Sequence, residues 1–255
     1  MSIDLKKKAE ANLIDLSKKA NISLAKKGLG SQKARVALCL DISGSMQELY
    51  RRGVVQDVTE KLLALAMNFD DNCAADVFLF GVKDYEVGEI EQSNFFQFVD
   101  REILSRYALE GGTRYGGVIK RVADHYFPGA VSVEKKGFFG FGAKKGISVD
   151  TSKYRNEEPV YVLFITDGDN QDKDETTKMI TEVSKLGIFW QFVGVGNSGF
   201  AYLDKLDNLD GRFIDNANFF KVPKLDKITD DQLYDQLLNE FPAWLKEAKE
   251  KALIK

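Results

Sequence analysis

Small side chains that carry oxygen atoms follow successive strand-like segments of this sequence. Three come directly after the apolar run 35–40, one follows the run 159–166, and one stands in the glycine-flanked loop GGTRYGG before a predicted helix. The residues are Asp41, Ser43, Ser45, Thr113 and Asp167. Because ligands bind outside the carboxyl ends of the strands in an open α/β sheet, we expect these side chains to meet at one edge.

The chemistry that suits these donors is the binding of a hard divalent cation. Hydroxyl and carboxylate oxygens are the ligands of Mg²⁺, which also keeps several of its waters, and Mn²⁺ accepts the same donors. We therefore predict Mg²⁺ or Mn²⁺, and Ca²⁺ less readily. Helix capping and turn formation explain each residue singly. They do not explain why all of them occur at successive strand ends.

The elements that must position these residues alternate along the chain as in an α/β domain with a mainly parallel sheet. An antiparallel edge strand is predicted within Gly81–Ile90. Five strands are predicted at Arg35–Leu40, Asp76–Phe80, Pro159–Thr166, Ile188–Val195 and Arg212–Ile214. Helices are predicted at Gly53–Phe69, Phe95–Arg106, Gly117–Phe127 and Asp174–Leu186, and each can serve as a crossover.

Helical extensions are predicted at both ends of one central domain. Residues 1–33 form a helical N-terminal extension, 34–222 the α/β domain, and 223–255 a C-terminal helical extension packed on that domain. Thr229 is predicted to cap the first C-terminal helix and Pro242 to begin a second. The N-terminal helix carries a loose apolar stripe made of Leu5, Leu13, Leu16, Ala20 and Leu24.

The composition argues against several classes of partner. The chain has 36 Lys and Arg residues against 39 Asp and Glu, a formal net charge of −3. It therefore lacks the overall positive field that holds nucleic acid or anionic lipid. No apolar run is long enough to span a bilayer, and the N-terminus lacks a secretory signal pattern. We expect a cytoplasmic protein without nucleic-acid or membrane contacts, and the oligomeric state stays open.

The small number of cysteines and histidines excludes further kinds of site. These residues are Cys39, Cys73 and His125. Both cysteines lie in or beside apolar runs, which predicts reduced thiols rather than a disulfide. A single histidine excludes most zinc sites and most Ser–His catalytic schemes. We expect His125 to pack or cap at the end of a helix, and we predict no catalytic residue.

The motifs DISGSM, GGT and TDG, in this order, resemble the metal-ion-dependent adhesion site (MIDAS) of a von Willebrand factor A (VWA) domain. The segments ISLAKKGLG, LCLDISGSMQELYRRGVVQ, LALAMNFDDN, KKGFFGFG and FPAWL resemble, more narrowly, the VWA domains of the tellurium-resistance (TerF-like) group. The resemblance implies a Rossmann-like three-layer sandwich with a mainly parallel central sheet, one antiparallel edge strand and helices on both faces.

The resemblance also implies roles for the five residues. Ser43, Ser45 and Thr113 would ligate the metal through their hydroxyls, and Asp41 and Asp167 would act directly or through water. The cation would then keep an open position for an acidic residue of a partner protein. The implied biology is bacterial tellurium resistance or stress response, and the protein is expected to be a binding module rather than an enzyme.

Other functions compete with this one. A hydrolase or phosphoryl-transfer enzyme could use the same metal, but no base is clearly aimed at the site. The segment GVGNSG, at 194–199, matches a dinucleotide fingerprint, although the following helix is predicted to be very short. The loop KKGFFGFGAKK, at 135–145, approaches an RNA-binding motif, and DGDNQDKDE, at 167–175, approaches a calcium loop that lacks its glycine.

Overall fold

The computed structural model describes residues 2–69, 72–136 and 144–255. Within them the chain forms eight strands, which fall into a central sheet and a separate hairpin. In chain order the strands are β1 (Arg35–Asp41), β2 (Ala74–Phe80), β3 (Asp84–Glu91), β4 (Val131–Lys136), β5 (Lys144–Val149), β6 (Val160–Thr166), β7 (Ile188–Val195) and β8 (Ala217–Val222).

Helices connect the strands and extend the chain at both ends. They are α1 (Ser2–Lys26), α2 (Gln47–Arg51), α3 (Val54–Phe69), α4 (Gly116–Tyr126), α5 (Lys173–Val183), α6 (Ala201–Asp207), α7 (Asp230–Leu237) and α8 (Phe241–Glu250). A 3₁₀ turn covers Gly44–Met46, and one π-helical segment covers Val99–Leu104. The helix predicted over Phe95–Arg106 is therefore only this short segment.

The central sheet has six strands in the order β3-β2-β1-β6-β7-β8. Strands β2, β1, β6, β7 and β8 run parallel, and β3 pairs antiparallel with β2 at one edge. The strand order reverses between β1 and β6, so the edge where β1 and β6 end is the expected ligand-binding crevice. The predicted fold, a mainly parallel sheet with one antiparallel edge strand, is confirmed.

Apolar residues on both faces of the sheet make it the middle of three layers. Along β1, Val36, Leu38 and Leu40 belong to one core, and Ala37 and Cys39 belong to the other. This alternation follows from the two-residue period of a strand. Helices α1, α3, α7 and α8 cover the first face, and α4, α5 and α6 cover the second. The sheet is therefore buried on both faces, which explains its nearly continuous apolar strands.

The terminal helices pack on the face that α3 covers. The α1 residues Leu13, Leu16, Ala20 and Leu24 are buried there, whereas Leu5 is 53% exposed. Leu5 was thus wrongly placed in the apolar stripe, because the helix contacts its neighbours only from its third turn. In α7, Thr229 caps the helix through a capping box with Gln232, and Pro242 stands in the first turn of α8, as predicted.

The last strand of the sheet lies later than predicted. Residues 212–214 form a turn, in which the Phe213 N–H donates to Ser184 Oγ at 2.8 Å. The strand is Ala217–Val222 instead, and its polar Asn218 is satisfied by a bond from its Nδ2 to Gln191 Oε1 on β7, at 3.0 Å. A cross-strand amide pair therefore accommodates the buried polar residue within the strand.

The glycine-rich segment 135–145 was predicted to be a loop, but its ends belong to a hairpin. Strands β4 and β5 pair antiparallel, with Lys135 opposite Lys145 and Lys136 opposite Lys144. The three phenylalanines of the segment lie outside the described residues. The comparison with an RNA-binding motif depended on them and therefore stays a sequence observation.

Among the described residues no helix combines the length and the apolar character that a membrane span requires. Cys39 is buried in β1, and no disulfide joins it to Cys73. The division of the chain into extensions and a central domain stays a prediction.

Candidate metal centre

Asp41 ends β1 with its side chain fully buried. Its Oδ1 accepts the Ser43 backbone N–H at 2.7 Å, and its Oδ2 accepts the Thr166 hydroxyl at 2.7 Å. The Tyr50 hydroxyl donates to the backbone carbonyl of Asp41 at 3.0 Å. The carboxylate is therefore held on one oxygen by its own loop and on the other by the neighbouring strand β6.

The two serines connect Asp41 to Asp167. Ser43 Oγ lies 3.0 Å from Ser45 Oγ, and Ser45 Oγ donates to Asp167 Oδ1 at 2.8 Å. Because Met46 is completely buried beside them, the 3₁₀ turn that carries Ser45 is anchored to the core. Four of the five predicted residues therefore form one continuous arc across the ends of β1 and β6.

Thr113 reaches the same edge through backbone contacts. Its carbonyl oxygen accepts the Gln171 N–H at 2.9 Å, which ties its loop to the loop after β6. The next residue, Arg114, donates its N–H to the Gly81 carbonyl at 2.8 Å. Earlier in the same loop, Glu110 exchanges backbone bonds with residues 42–44. All three predicted loops are thus brought together, although only the backbone of Thr113 has a described bond to the others.

Thr166 and Tyr115 also belong to this centre, and they were not among the predicted site residues. Thr166 is fully buried, and its Oγ1 donates to Asp41. The Tyr115 hydroxyl lies 3.1 Å from Thr166 Oγ1 and also donates to the Gly168 carbonyl. Thr166 opens the TDG motif, so a sequence signal for it existed. Tyr115 had none, because its partner lies 51 residues away.

Burial changes the acidity of both carboxyl groups. It raises the pKa of Asp41 to about 6, although hydrogen bonds from Thr166 and Ser43 oppose the shift. Burial also raises the pKa of Asp167, against the effect of the Ser45 hydroxyl. The nearby negative charge of Asp167 is a smaller contribution to the raised pKa of Asp41. Both shifts mean that negative charge at this edge is under-compensated by the protein alone.

The donor set fits a hard cation. It consists of two carboxylates and three hydroxyls, which are all oxygen ligands of the kind that Mg²⁺ and Mn²⁺ accept. In the described part of the chain, no group of three or more His, Cys, Asp or Glu side chains could hold a metal. A cation here would therefore depend on the hydroxyls. That these five residues are metal ligands stays a prediction.

His125 lies away from this edge. Its Nε2 is 3.4 Å from Asp76 Oδ2 and its Nδ1 is 3.1 Å from Glu86 Oε1. Asp76 pairs with Ala37, four residues before Asp41 on β1, which corresponds to about 13 Å along the strand. The histidine therefore packs near the end of its helix, as predicted, and is not positioned to act on a ligand of the centre.

The glycine motif at 194–199 has a packing explanation. A Cβ on Gly194 would lie 2.9 Å from the ring of Phe200, which is itself buried. The helix that follows, α6, has only seven residues. The glycine therefore makes room for an aromatic ring. In a dinucleotide-binding fold, the glycines would instead face a pyrophosphate and a longer helix would follow.

Comparison with known proteins places this arrangement in a family. The vWA-TerF-like family, described as the vWA found in the TerF C terminus, matches residues 33–134 and 143–254. The Bacillus subtilis (strain 168) protein named "Uncharacterized protein YcbR" is 41% identical over 245 residues, which cover 95% of this chain and 90% of that protein.

Solved structures share the fold at low sequence identity. Proximal thread matrix protein 1 of the mussel byssus, with a zinc-occupied MIDAS motif, has a TM-score of 0.50 and 15% identity. The alignment covers 81% of this chain and 47% of that one. A von Willebrand factor type A structure from Catenulispora acidiphila has a TM-score of 0.52 and 13% identity, over 81% and 42%. This chain thus spans less than half the length of either structure, and it belongs to the TerF-like family of von Willebrand factor A domains.

Proposed function

We propose that this VWA domain is a non-enzymatic module that binds a protein partner through Mg²⁺ or Mn²⁺. The observation that carries the proposal is the hydrogen-bonded arc from Asp41 through Ser43 and Ser45 to Asp167. The arc places two carboxylates and two hydroxyls at the sheet edge where ligands bind in this class of fold. The zinc-occupied MIDAS motif of the mussel protein supports metal binding by the same family of sites.

The five predicted residues would hold the cation, and Thr113 would contribute the third hydroxyl. Hydroxyl ligands are neutral, so the bound ion would retain a strong attraction for an incoming carboxylate. This chemistry favours an acidic residue on the partner as the group that is recognised. Membership of the TerF-like family supports a role in tellurium resistance or stress response in the bacterial cytoplasm.

The binding-module proposal is favoured over the hydrolase or phosphoryl-transfer alternative by the position of His125. That residue is paired with Asp76 and Glu86 and lies about four strand residues from the centre. A general base must reach the proton that it removes within hydrogen-bond distance or through one water. The histidine lies too far from the centre to serve as that base.

The first experiment is a calorimetric titration of Mg²⁺ and Mn²⁺ into protein stripped with EDTA. Wild type should bind one ion, and Asp41→Ala should bind none. Asp174→Asn, which changes an exposed aspartate in the first turn of α5, is the matched control and should bind as wild type. Binding that persists in Asp41→Ala would contradict the proposed site.

The second experiment tests recognition of a carboxylate. The protein is passed over immobilised polyglutamate and, as a control, polyglutamine, each with Mg²⁺ and with EDTA. Retention on polyglutamate alone, lost in EDTA and in Asp41→Ala, is the expected result. Because the net charge of the chain is −3, simple ion exchange opposes retention on this resin. Equal retention with and without the metal would refute metal-dependent recognition.

A further inference from the structure

Asp172 precedes helix α5, but its side chain caps the neighbouring helix α4. Its Oδ1 accepts the Tyr115 N–H at 3.0 Å, and its Oδ2 accepts the Gly116 N–H at 2.9 Å. Tyr115 is the N-cap residue of α4, and its own side chain makes no capping bond. Two N–H groups at the start of α4 are therefore satisfied by a carboxylate 56 to 57 residues away along the chain.

The Asp172 carboxylate is held rigidly. Its side chain is only 5% exposed, and Asn170 Nδ2 donates to its Oδ1 at 2.7 Å. The same Asn170 nitrogen donates to Thr176 Oγ1 in α5 at 2.8 Å, and Asn170 is itself buried. A fixed acceptor of this kind can transmit the position of one loop to another.

Thr113 is bound by the neighbour of Asp172 and closely precedes the amides that Asp172 binds. Its carbonyl oxygen accepts the Gln171 N–H at 2.9 Å, and the amides two and three residues further on are bound by Asp172. The backbone from the Thr113 carbonyl to the Gly116 N–H is thus fixed by residues 171 and 172. Those residues follow Asp167 closely, so one short segment determines how the two loops face each other.

We propose that Asp172 is a positioning residue for the metal centre, which sets the place of the Thr113 hydroxyl without touching the ion. The inference rests on the proposed function, because Thr113 matters only if a cation is bound. It goes beyond that function by assigning a role to a carboxylate outside the five predicted ligands. In the sequence, Asp172 reads only as a residue at the start of α5.

The first test measures Mn²⁺ affinity by calorimetry in Asp172→Asn. The asparagine keeps one acceptor oxygen but turns an N–H donor towards a backbone N–H, which breaks one of the two capping bonds. Affinity should fall about ten-fold or more, as with other residues that support metal ligands. Asp174→Asn removes the same charge two residues away and should stay within about two-fold of wild type. Wild-type affinity in Asp172→Asn would overturn the inference.

The second test is a double-mutant cycle with Thr113→Ala. If Asp172 acts through Thr113, then Asp172→Asn should weaken Mn²⁺ binding by less than about two-fold once the hydroxyl is gone. A purely structural role predicts instead that the two effects on affinity add. Additive losses would therefore overturn the inference even if Asp172→Asn alone weakens binding.

The third test needs no metal. Amide hydrogen exchange of Tyr115 and Gly116, measured by NMR in EDTA, should be faster in Asp172→Asn and unchanged in Asp174→Asn. Asn170→Ala removes the side-chain donor that holds Asp172 Oδ1. It should also weaken Mn²⁺ binding, and it replaces Asp172→Asn if that variant folds poorly.

If wild type binds no ion, the proposed function fails and this inference falls with it. If wild type binds and the Asp172 and Asn170 variants bind equally well, this inference alone fails.

Discussion

Replacing Asp41 by asparagine distinguishes two effects on the free energy of unfolding. A buried charge at this position lowers the stability of the metal-free protein, and a bound cation raises it. The pKa of this carboxyl rises from 3.8 to about 6 because it is buried. A folded-state pKa above the unfolded one means that stability falls as the pH rises from 3.8 to 6 and stays lower above that. Because one pH unit corresponds to about 1.4 kcal/mol, the ionised carboxylate costs the metal-free fold about 3 kcal/mol at pH 7.5.

Asparagine can occupy this position with its hydrogen bonds satisfied. Its carbonyl oxygen can accept the Ser43 N–H, as Asp41 Oδ1 does. Its amide group can donate to Thr166 Oγ1, whose own hydrogen then turns to the Gly168 carbonyl, 3.2 Å away. We therefore expect Asp41→Asn to stabilise the metal-free protein at pH 7.5 by about 1 to 3 kcal/mol.

The assay is urea unfolding in EDTA at pH 7.5 and 4.5, and with Mg²⁺ at pH 7.5. The advantage of the Asp41→Asn protein should shrink to less than about 1 kcal/mol at pH 4.5, where the folded wild-type protein carries this carboxyl almost fully protonated. Wild type should gain about 2.7 kcal/mol at a hundred-fold excess of Mg²⁺ over its Kd, and the variant should gain almost nothing. Asp174→Asn should follow wild type under every condition.

Two results would refute this reasoning. A variant that is less stable than wild type in EDTA at pH 7.5 would show that the buried charge of Asp41 does not oppose folding. Equal stabilisation of both proteins by Mg²⁺ would show that the ion binds elsewhere on the chain.

Two further predictions concern the rest of the fold. Asp76 and Glu86 raise the pKa of His125, so the stability lost in His125→Gln should be greatest below pH 6.5 and should disappear as the pH rises above the folded-state pKa; urea midpoints from pH 5.5 to 8.5 check this, and a pH-independent loss would contradict it. Gly194→Ala should cost about 1 to 3 kcal/mol, because the new methyl meets the Phe200 ring. Phe200→Leu in the same chain should recover part of that loss, measured as a higher urea midpoint than that of Gly194→Ala alone. No recovery would exclude the ring as the cause.

Sequence patterns located the strands around the centre because those strands are buried on both faces. The runs before Asp41 and Asp167 are nearly continuous in apolar residues, and the polar residues that follow them mark where each strand ends. The rule that parallel strands end at one edge then brought the two loops together. These parts of the prediction depended only on local pattern and on general topology.

The remaining features depend on contacts between distant segments. Strand β8 was missed because its Asn218 is satisfied only by Gln191 on the neighbouring strand. Thr166 opens the TDG motif, but its bond to Asp41, 125 residues away, is visible only in the folded chain. Asp172 bonds to the start of α4 across 57 residues of sequence. Periodicity and capping rules relate it only to α5, the helix that follows it. Composition and spacing carry no record of such pairings.

The placement of α1 and α7 on the same face has a consequence for synthesis of the chain. Lys19 in α1 bonds to Asp230 of α7 at 3.0 Å across a separation of 211 residues, and Lys61 of α3 bonds to the same carboxylate at 2.9 Å. At about 5 to 20 residues per second, a ribosome needs roughly 10 to 40 seconds to make the intervening chain. The residues of α1 and α3 are therefore synthesised well before those of the helix that completes their layer. The buried α1 residues Leu13, Leu16, Ala20 and Leu24 therefore lack their final neighbours until α7 and α8 have been made.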